Sequence, residues 1–236
     1  MEKVGKFFLG IMDSFYNTLI YDNRYKYILE GLFNTIIIAL FAVVIGIIIG
    51  TIVALIRDNH DKNGKLVVLN SLAKAYVNII RGTPVILQLM IIYYVIFKSV
   101  NINIVIVSIL AFGINSGAYV SEIIRAGINS ISVGQTEAGY ALGFKYCEVM
   151  RLIVLPQAIK NILPALGNEF VTLIKETSVG AYIGVVELTK ASDIIASRTY
   201  DYFFPLIIIA VIYLILTVGL SKLMSRLERK LNNVRS

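Results

Sequence analysis

Long apolar runs alternate with short polar breaks along this chain. Gly31 to Ile56 gives twenty-six consecutive residues without a charge, Val100 to Ser121 gives twenty-two, and Tyr202 to Ser221 gives twenty. A helix of about 20 apolar residues covers the hydrocarbon core of a bilayer, so each run predicts a span. Between the first two lies a broken stretch in which Leu66 to Ile80 is amphipathic and Pro84 to Phe97 is almost purely apolar. Pro84 removes a backbone donor and disfavours helix at Thr83, so the stretch reads as one span kinked at the sequence RGTP, residues 81–84. A further span opens after Pro156 and runs to about Thr177, carrying Glu169, Lys175 and Glu176. The expectation is an all-α integral membrane protein of five spans. An interfacial segment covers residues 1–28, the transmembrane domain 29–225, and a basic tail 226–236.

Charge orients these spans. Arg57, Lys62 and Lys65 follow the first; Arg125, Lys145, Arg151 and Lys160 lie between the third and fourth; Lys222, Arg226, Arg229, Lys230 and Arg235 close the chain. A five-span count puts all three groups on one side, which the excess of Lys and Arg marks as cytoplasmic. The opposite connections are uncharged at SVNIN, residues 99–103, and balanced from Lys190 to Asp201. The N-terminus is thus expected outside, with Met1 to Tyr27 as an amphipathic segment at the outer interface, and the C-terminus in the cytoplasm. Tyr93, Tyr94, Tyr200 and Tyr202 read as interfacial anchors near the outer boundary. Asp13 and the cluster from Asp22 to Lys26 interrupt the early apolar runs, and no small-residue cleavage site follows, so no signal peptide is expected.

Composition agrees: 57% of the 236 residues are hydrophobic and 16% charged, with a mean hydropathy of +0.78. The net charge of +7 follows from the basic cytoplasmic segments, which excludes nucleic acid as its explanation. One cysteine, Cys147, allows no intrachain disulfide and has no activating base beside it, and the single His60 lies in a polar loop; no metal site is expected. In the first span, Ala42, Gly46, Gly50 and Ala54 recur every four residues. Such a ridge admits another helix closely, within the chain or in a dimer, and packing within the chain is the simpler reading.

One cytoplasmic loop is too long to be only a connector. From Thr136 to Pro156 it reads TEAGYALGFKYCEVMRLIVLP. Thr136 can cap a helix, Glu137 suits its first turn, and Gly143 suits the left-handed position that ends it. A second helix from about Phe144 to Val154 would complete a two-helix knob over residues 132–156. No GxxxxGK[ST] phosphate loop exists in the chain, so it cannot hydrolyse ATP by that route, and energy must come from a partner.

The spacing of Glu137, Ala138, Gly139, Gly143, Ile153, Leu155 and Pro156 resembles the EAA motif of ABC importer permeases, with Gly139 where a second alanine is usual. RGTPVILQ (81–88), INSGAYVSEIIRAGI (114–128), LPALGNEF (163–170) and LIKETS (173–178) resemble the polar amino-acid branch of that family, which includes glutamine, histidine and arginine permeases. The resemblance implies a five-span type I importer permease with cytoplasmic coupling helices, in a bacterial inner membrane. It implies a like permease subunit as homo- or heterodimer partner, two ATPase subunits that bind ATP and Mg, an extracellular or periplasmic binding protein, and an amino-acid substrate. No cofactor would bind this chain, which would be a transport subunit and not an enzyme. Glycine at 139 is expected to loosen the first knob helix.

Polar residues inside the spans are the candidate path. Asn115, Tyr119 and Glu122 share a helical face, with Ser116 beside them; Asn168, Thr172 and Lys175 share another, adjoined by Glu169, Glu176, Thr177 and Ser178. A charge at mid-membrane costs about 2.5–3.5 kcal/mol or more, so these groups should face the bundle interior or water. Lys175 beside Glu122 or Glu176 could meet the carboxylate and ammonium of an amino acid, or could pair with a glutamate only to hold two spans in register. Arg81 with Thr83 reads as a snorkelling cation at the helix break. A proton-coupled secondary carrier using Glu122, Glu169 and Glu176 is the alternative, but such folds show internal repeats, and neither RGTP nor the loop recurs. A membrane hydrolase lacks a nucleophile and base.

Overall fold

The computed structural model describes the backbone of residues 2–233 and the side chains of residue 10 and residues 12–230. Among these, all regular structure is helical: α1 (Glu2–Leu19), α2 (Tyr25–Asn63), α3 (Val67–Gly82), α4 (Val85–Ile91), α5 (Ile104–Asn129), α6 (Val133–Ala141), α7 (Tyr146–Val149), α8 (Leu155–Glu176), α9 (Leu188–Thr199) and α10 (Phe203–Asn233). Four stretches are long and apolar enough to cross a membrane, namely Tyr21–Asn63, Ile104–Asn129, Tyr146–Ile183 and Phe203–Lys230; α3 with α4 makes the fifth if counted as one broken span. The all-α, five-span expectation is met. Helix α2 begins four residues before the boundary drawn at 28/29, and α10 runs unbroken through the one drawn at 225/226. The amphipathic reading of residues 1–27 rests partly on side chains 1–9 and 11, and the basic tail partly on residues 231–236; both portions lie outside the described side chains.

Two local expectations change. The break at RGTP is no kink: α3 and the apolar segment that follows meet at 110°. Thr83 and Pro84 both leave the helical region, with ψ of 148° and 134°, and two extended residues in succession turn the chain where one would only bend it. The Gln88 side chain fixes the corner by donating to the Ile80 carbonyl at 2.7 Å and to Thr83 Oγ1 at 2.8 Å. His60 lies in the last turn of α2 and not in a loop, because α2 carries on through the polar sequence RDNHDKN for a total of 39 residues, about 58 Å at 1.5 Å per residue.

The small-residue ridge is an internal seam. A Cβ on Gly46 would lie 2.8 Å from Ser116 Oγ, and one on Gly50 2.6 Å from Val120 Cγ1, while Ala42 and Ala54 are fully buried. Thus α2 and α5 pack backbone to backbone along the ridge, the arrangement small residues permit in lipid. One buried cluster, including Ile38, Leu89, Phe112 and Leu173, joins α2, α4, α5 and α8. A second, including Ala54, Val120, Ile128, Val149, Val154 and Ala158, continues toward the loop of residues 132–156.

Candidate coupling and translocation site

The loop of residues 132–156 folds as the expected knob, with differences in detail. Helix α6 starts at Val133 behind Ser132, so Thr136 is interior and caps nothing. Gly143 takes the left-handed turn at φ +84°, a conformation open to glycine at little cost. The second helix is short: α7 ends at Val149 and passes through a π turn, Met150–Val154, directly into α8. Pro156 falls at the start of α8, where the interrupted ladder tolerates a residue without N–H. Gly139 does not loosen the knob. It is buried, and a Cβ there would lie 2.8 Å from Ile153 Cδ1 and 2.9 Å from Val149 Cγ2, so the missing methyl lets α6 press onto the π turn.

The remaining motif residues divide by exposure. Glu137, Ala138 and Gly143 are exposed; Ile153, Leu155 and Pro156 are half-buried against the bundle. Around Gly143 the knob also shows apolar side chains, with Leu142 75% exposed beside Tyr140 and Phe144; Val133, 70% exposed, lies at the other end of α6. Single exposed leucines are ordinary, but three large apolar side chains at alternate positions around the glycine turn, Tyr140, Leu142 and Phe144, are the kind of surface a protein partner covers.

The knob is tied to α2 by Asp58 and Tyr146, which nothing in the sequence singles out, and by Lys62, which there serves only to orient the spans. The Tyr146 hydroxyl donates to Asp58 Oδ2 at 2.9 Å, and Lys62 pairs with Asp58 Oδ1 at 2.8 Å. The Lys62 ammonium also stands 5.7 Å from the centre of the Tyr146 ring. No local pattern announces this link, since Asp58 and Tyr146 are 88 positions apart.

Within the bundle the polar residues separate into three places. Asn115 is buried and donates to Gln88 Oε1 at 2.9 Å, while Ser116 donates to Glu169 Oε1 at 2.7 Å. Glu122 stands apart from Lys175, which corrects the expected pairing: it is held by Arg57, by Arg125 at 3.5 Å and by Arg81 at 3.8 Å. Seven residues along α5 carry Glu122 about 10 Å from Asn115 toward the knob, so a shared face does not mean a shared depth. Arg81 accordingly pairs with Glu122 and lies 5.4 Å over the Tyr119 ring, which makes it more than a snorkelling cation. Lys175 is exposed toward an open groove of about 770 Å³ between α8 and α10, lined also by Thr217, Ser221 and Arg226. Glu176 is half-buried one position on, about 100° around the helix from Lys175. Thr177 is buried and donates to the Ile174 carbonyl at 2.7 Å, and Ser178 is half-buried in the same 3₁₀ turn.

Outside the spans, Glu187 is a functional-looking carboxylate that the sequence reading passed over. It is fully buried at the start of α9, accepting from the N–H groups of Thr189 and Lys190 at 2.7 Å and from the Tyr213 hydroxyl at 3.0 Å. Burial pushes its carboxyl above the ordinary range, and these donors pull it back. Its role is to cap α9 and fasten it to α2 and α10; the backbone of Glu187 lies 2.8 Å from where a Gly31 Cβ would be.

Comparison with known proteins now bears on this geometry. Residues 46–233 match the family described as binding-protein-dependent transport system inner membrane component. The chain belongs to this family. It is 40% identical over 213 residues to a Rickettsia prowazekii (strain Madrid E) protein provisionally named as glutamine transport system permease protein GlnP, covering 89% of this chain and 95% of that one. It is also 40% identical over 209 residues to the arginine transport system permease protein ArtQ of Bacillus subtilis (strain 168), covering 88% and 93%. Among solved structures, an amino acid ABC transporter crystallised with histidines superposes with a TM-score of 0.81 at 42% identity, over 87% of this chain and 94% of that one. The inward-facing MetNI methionine transporter shares the fold, with a TM-score of 0.74 at 20% identity over 90% and 99%. A member of this family is a multi-pass inner-membrane permease subunit of an ABC importer, a transport component that works with ATPase and substrate-binding partners.

Proposed function

We propose that this binding-protein-dependent permease carries an amino acid, paired with a like subunit, two ATPase subunits that hold ATP and Mg, and an external binding protein. The relatives' names favour a polar amino acid. The observation that carries the coupling role is the knob's exposed apolar side chains around Leu142, at the glycine turn, in a chain with no phosphate loop of its own. Glu137, Ala138 and Gly143 present the docking face, while Ile153, Leu155 and Pro156 join it to α8. The N-terminus faces outward and the knob and C-terminus face the cytoplasm. Asn115, Ser116, Tyr119, Lys175, Glu176, Thr177 and Ser178 contribute to the path, with Lys175 offered to a carboxylate; the arginine-bound Glu122 closes its cytoplasmic end.

The test is uptake by proteoliposomes holding the permease, ATPase and binding protein. Uptake should require ATP and binding protein, and Leu142→Asp or Gly143→Asp should lower it together with retention of the ATPase. Uptake driven by a proton gradient without ATP would overturn the reading, as would either variant keeping both ATPase retention and full uptake.

A further inference from the structure

The knob has two mechanical routes into the bundle. Along the chain it reaches α8 only through the π turn Met150–Val154, an interrupted helical ladder that serves as a hinge as readily as a lever. Across space it reaches α2 through the Asp58 carboxylate, which is 6% exposed and receives the Tyr146 hydroxyl on one oxygen and Lys62 on both. Lys62 further touches the Met150 sulfur at 3.7 Å, so the end of α2 grips the turn on both sides. Four residues before Asp58, Ala54 is fully buried in the cluster that contains Val120 of α5 and Val149 of α7.

We propose that Asp58, acting through Tyr146, is a positioning residue that carries movement of the knob into α2 and thence along the α2–α5 seam, so that ATPase closure reaches the path by a second route besides α8. The reasoning is one of stiffness. A charge-assisted hydrogen bond inside a packed cluster holds two elements at fixed separation, whereas a helix with a π turn bends at that turn. Because α2 meets α5 backbone to backbone at Gly46 and Gly50, a push at Asp58 arrives at Ser116 and Asn115 with little intervening side-chain slack. This inference rests on the coupling role proposed for the knob.

The experiment uses the assembled complex of permease, ATPase and binding protein in proteoliposomes, with Tyr146→Phe, Asp58→Asn and the double variant. Tyr146→Phe deletes one oxygen and keeps the ring under Lys62. The readouts are ATPase retention, melting temperature, and the ratio of ATP hydrolysis with amino-acid-loaded binding protein to basal hydrolysis. Expected are full ATPase retention and a stimulated-to-basal ratio lowered about tenfold in each single variant, the factor that a hydrogen bond to a charged group is worth. The double variant should be no worse than Asp58→Asn alone, because Tyr146→Phe removes a contact that Asp58→Asn already weakens together with the Lys62 pair. An unchanged ratio in Tyr146→Phe, or losses that multiply in the double variant, would overturn the proposal. So would a melting temperature that falls in proportion to the ratio, since the contact would then only support the fold. Leu142→Asp separates the two readings: if it retains ATPase and full coupling, the docking role of the knob fails, whatever the Tyr146 result.

Discussion

Lys175 could be read as a binder of substrate or as one half of a structural ion pair, and its surroundings favour the first. Among the described residues no carboxylate lies within ion-pair distance of it; it opens onto the α8–α10 groove, and Glu122 is taken by three arginines. Lys175→Met should leave the melting temperature of the purified subunit within a few degrees of wild type, yet lower uptake about tenfold or more if the ammonium meets a substrate carboxylate. A melting temperature that drops with uptake would return Lys175 to a structural role. Glu122→Gln should behave in the opposite way. It leaves three guanidiniums sharing one neutral amide, and since Glu122 is about a third exposed, at 32%, the loss should be held to about 1–2 kcal/mol. Thermal unfolding in detergent measures it. Glu187→Ala should cost more, on the order of 2–4 kcal/mol, because it removes a helix cap and leaves two N–H groups and the Tyr213 hydroxyl without their buried acceptor.

At the scale of elements, the seam between α2 and α5 shows which features were legible in the sequence. Four small residues every fourth position announced a close helix contact, and the structure puts α5 against it. Gly50→Ala should therefore destabilise the subunit by about 1–3 kcal/mol, since its Cβ would meet Val120 Cγ1 at 2.6 Å and the Ser121 nitrogen at 2.9 Å. Gly219→Ala, where nothing lies within 4 Å, should not destabilise the isolated subunit; a loss there equal to that at Gly50 would show that the seam does not set the cost, since the change from Gly to Ala favours a helix at both positions. The spans themselves were legible because the bilayer imposes a length threshold that a run of uncharged residues either meets or misses. The break at Pro84 was legible in position but not in angle, because the turn depends on Gln88 reaching back to Ile80 and Thr83. The grouping of Glu122 with Lys175 failed for a related reason: periodicity reports the face of a helix, whereas pairing also depends on depth and on which cations neighbouring helices bring. The Asp58–Tyr146 link gave no signal at all, since only the folded path of the chain brings those two positions together.

For the whole molecule, the decisive quantity is orientation, which the distribution of Lys and Arg predicts and which the coupling reading requires. The chain supplies its own reporter, because its single cysteine, Cys147, is exposed on the knob. If the knob faces the ATPase, a membrane-impermeant maleimide should fail to label Cys147 in intact cells and should label it in inverted vesicles. In a Cys147→Ser background, Asn63→Cys, exposed at the C-terminal end of α2, should follow the same pattern. Tyr200→Cys should show the reverse, since that residue is 94% exposed at the turn after α9 on the opposite side of the bundle. The three sites constrain one another: α2 separates Asn63 from the outer segment, and α10 separates Tyr200 from the cytoplasmic tail, so a single inverted orientation would exchange all three results together. Labelling of Asn63 and Tyr200 from the same side would instead mean that the 110° pair of α3 and α4 enters and leaves by one face, leaving four crossings and placing the knob on the face opposite Asn63. That outcome would defeat the charge-based orientation, which needs the basic groups after α2 and in the knob on one face, and the proposed route through Asp58 and Tyr146, which would then lie on opposite faces.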